Sequence, residues 1–275
     1  MKQEKKHKNR YFQATEIVAG YGKNEILHGV SFEIKPGTLN CFLGANGSGK
    51  TTLLKCLANQ IPHQGQCFFK EQVLEKKSVR ELAQSISYLP QKSGITLSLP
   101  VLDVVLMGVN PRLKLLQNPT GEQKEKAKEW IGKVGLLEKI NTDYLCLSEG
   151  QKQLVLLARM MLEETGLFLL DEPDSALDIP NRYFLMRCLQ EMVRKEKKAA
   201  ILCLHDPVLA MEFCDQLLLL KDGNIIEVIS PQEETREKME TAFRKIYGNI
   251  ALMECFDQKG NKHYSIMGTE GKCKE

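Results

Sequence analysis

The chain predicts an α/β fold with a mostly parallel sheet interrupted by a helical insertion, and three observations predict it. Short apolar runs alternate with helical stretches, one such run passes through a Gly-rich turn into a helix, and beyond Gln91 the strand-like pattern gives way to helical periodicity. The insertion spans residues 92 to 163.

Taken in order, Glu16 to Ala19 and Val30 to Ile34 alternate or cluster β-formers, and Lys35-Pro36-Gly37 turns the chain into a strand from Leu39 to Leu43. A helix of about ten residues follows the Gly-rich turn. Cys67 to Phe69 and Ile86 to Leu89 read as strands, with a basic helical stretch at Ser78 to Gln84 between them. Helical patterns then cover Val101 to Gly108, Glu122 to Val134 and Gln151 to Leu162. Ala127, Trp130, Ile131 and Val134 share one face at i, i+3, i+4, i+7 spacing and are expected in the core. Buried strands return at Leu167 to Leu170, Ala200 to Leu204 and Gln216 to Leu220, with a helix at Asn181 to Arg194. Lys221-Asp222-Gly223-Asn224 is a hairpin turn into Ile225 to Ile229, and Ala251 to Phe256 is strand-like.

Composition bounds the class. A chain of 275 residues, 43% hydrophobic and 27% charged, can bury a substantial core. No apolar run approaches a membrane span, and no apolar signal region opens the chain, so nothing directs export. The net charge of +3 is concentrated in residues 1 to 10, which carry +4, so the remainder is near neutral and no nucleic-acid partner is expected. That basic segment reads as a flexible tail, as does 268 to 275, flanking one domain at 11 to 267. The nine cysteines form no C-x-x-C pair and lie mostly in apolar segments. They read as reduced, buried thiols of a cytosolic protein rather than metal ligands.

Gly44-Ala45-Asn46-Gly47-Ser48-Gly49-Lys50-Thr51 fits the phosphate-binding template G-x-x-x-x-G-K-[ST] at every fixed position. A strand entering such a turn before a helix leaves backbone N–H groups converging at the helix N-terminus, where the dipole favours anions. Lys50 is a cation for the β- and γ-phosphates of a nucleoside triphosphate, and the Thr51 hydroxyl is a hard oxygen ligand for Mg²⁺. Asn46 and Thr52 complete the candidate nucleotide contacts. The second carboxylate strand that such enzymes need is Gly166 to Glu172. Asp171 ends the buried strand, where a lone carboxylate is costly unless it meets a cation. Glu172 can orient or deprotonate an attacking water. The alternative is that both residues cap a helix after Pro173.

Leu147-Ser148-Glu149-Gly150-Gln151 resembles the signature sequence of ATP-binding-cassette (ABC) ATPases, and further motifs occur in the family's order. Gln91 in Tyr88-Leu89-Pro90-Gln91 resembles the Q-loop glutamine, Ser175-Ala176-Leu177-Asp178 the D-loop, His205 the switch histidine, and Tyr21 the aromatic that stacks on adenine. The resemblance covers residues 12 to 267. It implies a P-loop NTPase (RecA-like) core with a mostly parallel sheet, an antiparallel β subdomain and an inserted α-helical subdomain. Ser148 and Gln151 also form an S-x-x-Q capping box, and a capped helix end can offer its dipole and hydroxyl to another subunit's γ-phosphate. Tyr21 is alternatively a half-buried strand-end residue and His205 a capping or core histidine.

By resemblance, two cassettes close head to tail around two ATP molecules, each held between one chain's phosphate loop and the other's signature. The implied roles are Glu172 as base, His205 as the group fixing transition-state geometry, and Gln91 as γ-phosphate sensor and metal contact. Thr51, Gln91 and Asp171 attend the Mg²⁺, and Ser148, Gly150, Gln151 and Asp178 attend the partner's nucleotide. Glu149 stands where the family most often has glycine, and its side chain is expected to point away from the phosphates.

Leu99-Pro100-Val101-Leu102-Asp103-Val104-Val105-Leu106-Met107-Gly108, followed by Pro111, and the tail around Ile246-Tyr247-Gly248-Asn249 resemble the ATPases of iron-siderophore, haem and cobalamin importers. Those usually carry arginine where this chain has Val109. This implies integral membrane permease subunits as partners, a second ATPase subunit in a homodimer, an extracellular substrate-binding protein engaged indirectly, and a place on the cytoplasmic face of the cell membrane. Leu97 to Val105 fits either the permease contact or subdomain core. The alternative is a soluble ABC ATPase of an assembly system such as iron-sulfur cluster biogenesis.

Overall fold

The computed structural model describes residues 11–268, so the basic segment before Tyr11 and the last residues of the carboxyl tail lie outside the described residues. Contacts divide the chain into two units, one built from residues up to Glu75 and from Arg187 onward, the other from Lys76 to Met186.

The first unit opens with β1 (Phe12–Tyr21) and β2 (Asn24–Ile34), followed by β3 (Thr38–Leu43), α1 (Lys50–Leu57), β4 (Gln64–Phe69) and β5 (Gln72–Val73). The second holds α2 (Val79–Ser85), β6 (Ile86–Leu89), α3 (Val101–Leu106), α4 (Gly121–Lys133), α5 (Glu149–Leu162) and β7 (Leu167–Asp171). The chain returns within α6 (Ile179–Glu196). The first unit then adds β8 (Ala199–Cys203), α7 (Pro207–Phe213), β9 (Gln216–Lys221), β10 (Asn224–Ile229), α8 (Arg236–Tyr247), β11 (Ile250–Phe256) and β12 (Lys262–Gly268).

Two kinds of strand explain two sheets in the first unit. β1 and β2 bury alternate residues, as half-covered antiparallel strands do, and form a sheet in the order β2-β1-β4-β5. Its buried face carries Phe12, whose ring lies 5.9 Å from that of Phe32, and Phe32 in turn meets Phe42 of β3 edge to face at 5.4 Å. β3 and β8 are apolar and almost wholly buried. β3 pairs in parallel with β8 on one side and β9 on the other, and β10 adds an antiparallel edge. The parallel strands are largely apolar because both faces are covered, and buried Asn40 of β3 is satisfied by donating to the Ala200 carbonyl at 3.0 Å. The β9–β10 turn has Asp222 and Gly223 both at positive φ, as the Asp-Gly pair requires.

In the second unit β6 and β7 pair in parallel, and α3, α4 and α5 form the helical part. Val101, Val104 and Val105 of α3, Ala127 and Ile131 of α4, and Leu154, Val155 and Ala158 of α5 are buried. Leu97 to Val105 therefore divides: Leu97 is exposed while the valines are core. Trp130 is half-buried, with the Lys133 ammonium 4.1 Å from its ring centroid. Val109 is buried in a 3₁₀ turn from Met107 to Arg112 that ends α3 earlier than its apolar periodicity suggests.

The helices α7 and α8 escape the sequence reading. Asp206 caps α7 through the Val208 and Leu209 N–H groups with Pro207 in its first turn, and Thr235 caps α8, which buries only Met239, Ala242 and Phe243. Both caps are written in the sequence, but each apolar face is too sparse to stand out. Of the eight cysteines within the described residues, Cys41, Cys56, Cys67, Cys203 and Cys214 are buried, Cys188 is half-buried, and Cys146 and Cys255 are exposed.

Candidate active site

The phosphate loop lies in the first unit, where β3 passes into α1. A Cβ on Gly44 would stand 2.2 Å from the Leu220 carbonyl oxygen. One on Gly49, which sits at φ 104°, would press on Leu27 at 2.9 Å. Glycine is thus required at both, and the backbone can wrap an anion closely. Gly49 leads α1 and no side chain caps that helix end, so its leading N–H groups face the loop. Inside the loop the Ser48 hydroxyl is buried without a hydrogen-bond partner. The Lys50 ammonium, also buried, donates to the Gly44 and Ala45 carbonyls at 2.8 and 3.2 Å. An orphaned hydroxyl, a buried cation and an uncapped helix end form a cradle whose chemistry fits a polyphosphate.

Around that cradle Thr52 is buried, Thr51 half-buried, and Asn46 and Gly47 exposed. Tyr21 closes β1 with 48% of its surface exposed. His205 is exposed two residues after β8, and the capping of α7 falls to Asp206 rather than to the histidine.

The second unit carries the carboxylates. Parallel pairing of β6 with β7 sets Leu89 against Leu170, so two residues further on Gln91 and Glu172 leave their strands side by side. The Gln91 amide donates to Glu172 Oε2 at 2.5 Å. Glu172 sits at φ 50°, a conformation unusual for a residue with a Cβ. Its carbonyl accepts from both the N–H and the hydroxyl of Ser175, at 3.2 and 3.0 Å, which ties down the turn. Asp171 is 2% exposed at the end of β7, and its buried carboxylate is a hard oxygen donor of the kind that suits Mg²⁺. Asp174, which no sequence motif marks, is buried in the same turn.

The alternative in which Asp171 and Glu172 cap a helix after Pro173 does not hold. α6 begins only at Ile179, and Asp178 accepts from the Asn181 N–H at 3.0 Å to start it. Ser148 and Gln151 form the reciprocal capping box of α5, at 3.3 and 3.2 Å. A Cβ on Gly150 would lie 3.0 Å from the Ala176 carbonyl, so the start of α5 and the turn before α6 pack at glycine distance. Glu149 is turned to Lys152, its carboxylate 2.8 Å from the ammonium. The structure thus brings Gln91 together with Glu172, and Gly150 with the Ser175 to Asp178 turn.

Residues 27–175 match the family model described as ABC transporter. The hemin import ATP-binding protein of Vibrio parahaemolyticus is 31% identical over 85% of this chain and 89% of its own length. The petrobactin import ATP-binding protein of Bacillus anthracis is 28% identical over 82% of this chain and 84% of its own. In fold, the chain is similar to a metal-chelate type ABC transporter solved in an inward-facing conformation, with TM-score 0.79, 23% identity, and coverage of 94% of this chain and 98% of that one. With a family model spanning more than half its length and a relative above 30% identity matched over 89% of that relative's length, this chain belongs to the ABC transporter family as an ATPase.

Proposed function

We propose that this chain is the ATP-hydrolysing subunit of an importer for a metal chelate of the hemin or siderophore kind, acting as a homodimer on the cytoplasmic face of the membrane beneath integral permease subunits. The observation that carries the substrate class is the match along nearly the whole chain to hemin and petrobactin import ATPases. Among the described residues no helix is long and apolar enough to cross a membrane, so transport needs separate membrane-spanning partners. An extracellular binding protein would deliver the chelate to them.

In this reading the phosphate loop and Lys50 bind the β- and γ-phosphates, and Tyr21 stacks on the base. Thr51 and Asp171 would hold Mg²⁺, which would supply charge to neutralise the phosphates, and Gln91 would attend it. Glu172 takes the proton of the attacking water, with Gln91 orienting its carboxylate until the γ-phosphate draws the amide away. His205 holds the transition-state geometry. Ser148, Gly150, Gln151 and Asp178 complete the site of a second copy of the chain, so an isolated subunit hydrolyses ATP slowly.

Purification of the tagged chain from detergent-solubilised membranes tests the reading. It should bring down an integral permease whose presence raises ATP turnover, with dimers that form in ATP. Recovery of soluble partners alone would overturn it in favour of the assembly role.

A further inference from the structure

Away from the phosphate loop, the first unit gathers three metal-ligating side chains. His63 lies in the turn before β4, Cys67 on β4, and Glu75 in the 3₁₀ turn Leu74–Lys76 that follows β5. Their ligand atoms all fall within 4.8 Å of one another. The His63 ring is 2% exposed, the Glu75 side chain 25%, and Cys67 is buried.

The hydrogen bonds fix where the ring protons sit. His63 Nδ1 lies 3.1 Å from the Ile61 carbonyl, which can only accept, so Nδ1 carries a proton. Nε2 lies 3.1 Å from Glu75 Oε1, an acceptor that also takes the Cys67 N–H at 2.7 Å. Without a metal Nε2 therefore donates its own proton to the carboxylate, and a bound cation would displace that proton and take the Nε2 lone pair. Glu75 Oε2 is buried with no hydrogen-bond partner. Nδ1–H held by a backbone carbonyl is the outer-shell arrangement that commonly orients a metal-bound histidine. A tetrahedral Zn²⁺ with bonds of about 2.0–2.3 Å sets its ligands about 3.3–3.8 Å apart, which small side-chain rotations here would reach. Thiolate, carboxylate and neutral imidazole together cancel the charge of a divalent ion, as burial demands. A sulfur ligand beside an imidazole selects zinc over Mg²⁺ or Ca²⁺.

We propose that His63, Cys67 and Glu75 form a zinc site, separate from the hydrolytic residues, that pins the turn after β5 to β4. Three protein ligands leave a fourth position for water. Bound zinc ties down the edge of the antiparallel sheet, where β5 contributes only two residues.

The test uses the full, tag-free chain without nucleotide, stripped of metal, incubated with Zn²⁺ and desalted. About one zinc per chain should remain, raising the melting temperature. Co²⁺ in its place should give a thiolate-to-metal charge-transfer band in the near ultraviolet. Cys67→Ser and His63→Gln should abolish the band and weaken zinc binding by about 100-fold or more, while Cys146→Ser and Cys255→Ser leave both unchanged. X-ray absorption at the zinc edge of the wild-type chain needs no variant, and should find one sulfur among nitrogen and oxygen ligands. Failure to retain zinc, a sulfur count other than one, or a cobalt band that survives Cys67→Ser would each overturn the proposal.

Discussion

Glu172→Gln separates a catalytic carboxylate from a structural one. Its carboxylate accepts a 2.5 Å hydrogen bond from Gln91, and its φ of 50° is a backbone property that glutamine inherits unchanged. A hydrogen bond to a charged group contributes about 1.5–3 kcal/mol and a neutral one about 0.5–1.5 kcal/mol, so the substitution costs stability by about 1 kcal/mol. In a chain of this size that lowers Tm by roughly 2–4 °C. Loss of a general base lowers turnover by about 10²–10⁴-fold, so catalysis should collapse while folding barely changes. Three measurements check this: ATP hydrolysis at saturating nucleotide, retention of labelled ATP, and gel filtration in ATP and Mg²⁺. The variant should bind ATP, turn over very slowly and accumulate as a closed dimer. Unchanged turnover would refute the assignment of the base, and loss of ATP binding in a folded variant would show that Glu172 shapes the nucleotide cradle instead.

Three further outcomes follow from the same geometry. Ser148→Ala removes the α5 cap and should cost about 0.5–2 kcal/mol; Ser148→Asn should restore the melting temperature, and if the hydroxyl also serves a partner's nucleotide, ATPase activity will stay low despite that rescue. Glu163, at the C-terminal end of α5, has its carboxyl pushed above the usual range by burial, against the opposing pull of Ser87, Arg159 and Arg112. A raised carboxyl pKa means that the folded state holds the proton more tightly, so its stabilising contribution is full below about pH 4.5 and is lost as pH rises through the folded value; Glu163→Gln should flatten that decline in thermal melts across the range, and an unaltered slope would refute it. Phe168→Ala, in a fully buried strand position, should cost about 3–5 kcal/mol by cavity formation, read by denaturant unfolding.

Much of the fold was legible because its signals are local. The buried strands are compact apolar runs, Leu167 to Leu170 of β7, all of β8, and β3 broken only by Asn40 after Thr38, and the capping boxes at Ser78 and Ser148 join residues only three positions apart. The start of β2 was harder to read, since Asn24, Glu25 and His28 are polar and exposed and the segment becomes strand by pairing with β1 across a turn. α7 and α8 depend on faces that their neighbours bury, which sequence periodicity conveys weakly in short, charged helices.

The sequence by itself determined that the chain carries a phosphate cradle, because Gly44 to Thr51 are contiguous and their chemistry follows from backbone conformation and one helix end. It also marked Glu172, Ser148 and His205 by motif and order. Only the tertiary structure decided that Gln91 holds Glu172, since parallel pairing of β6 with β7 joins residues 81 apart along the chain. The same holds for His63, Cys67 and Glu75. Cysteine spacing considers cysteines alone, whereas only folding shows that a histidine, a cysteine and a glutamate place their donor atoms within 4.8 Å of one another.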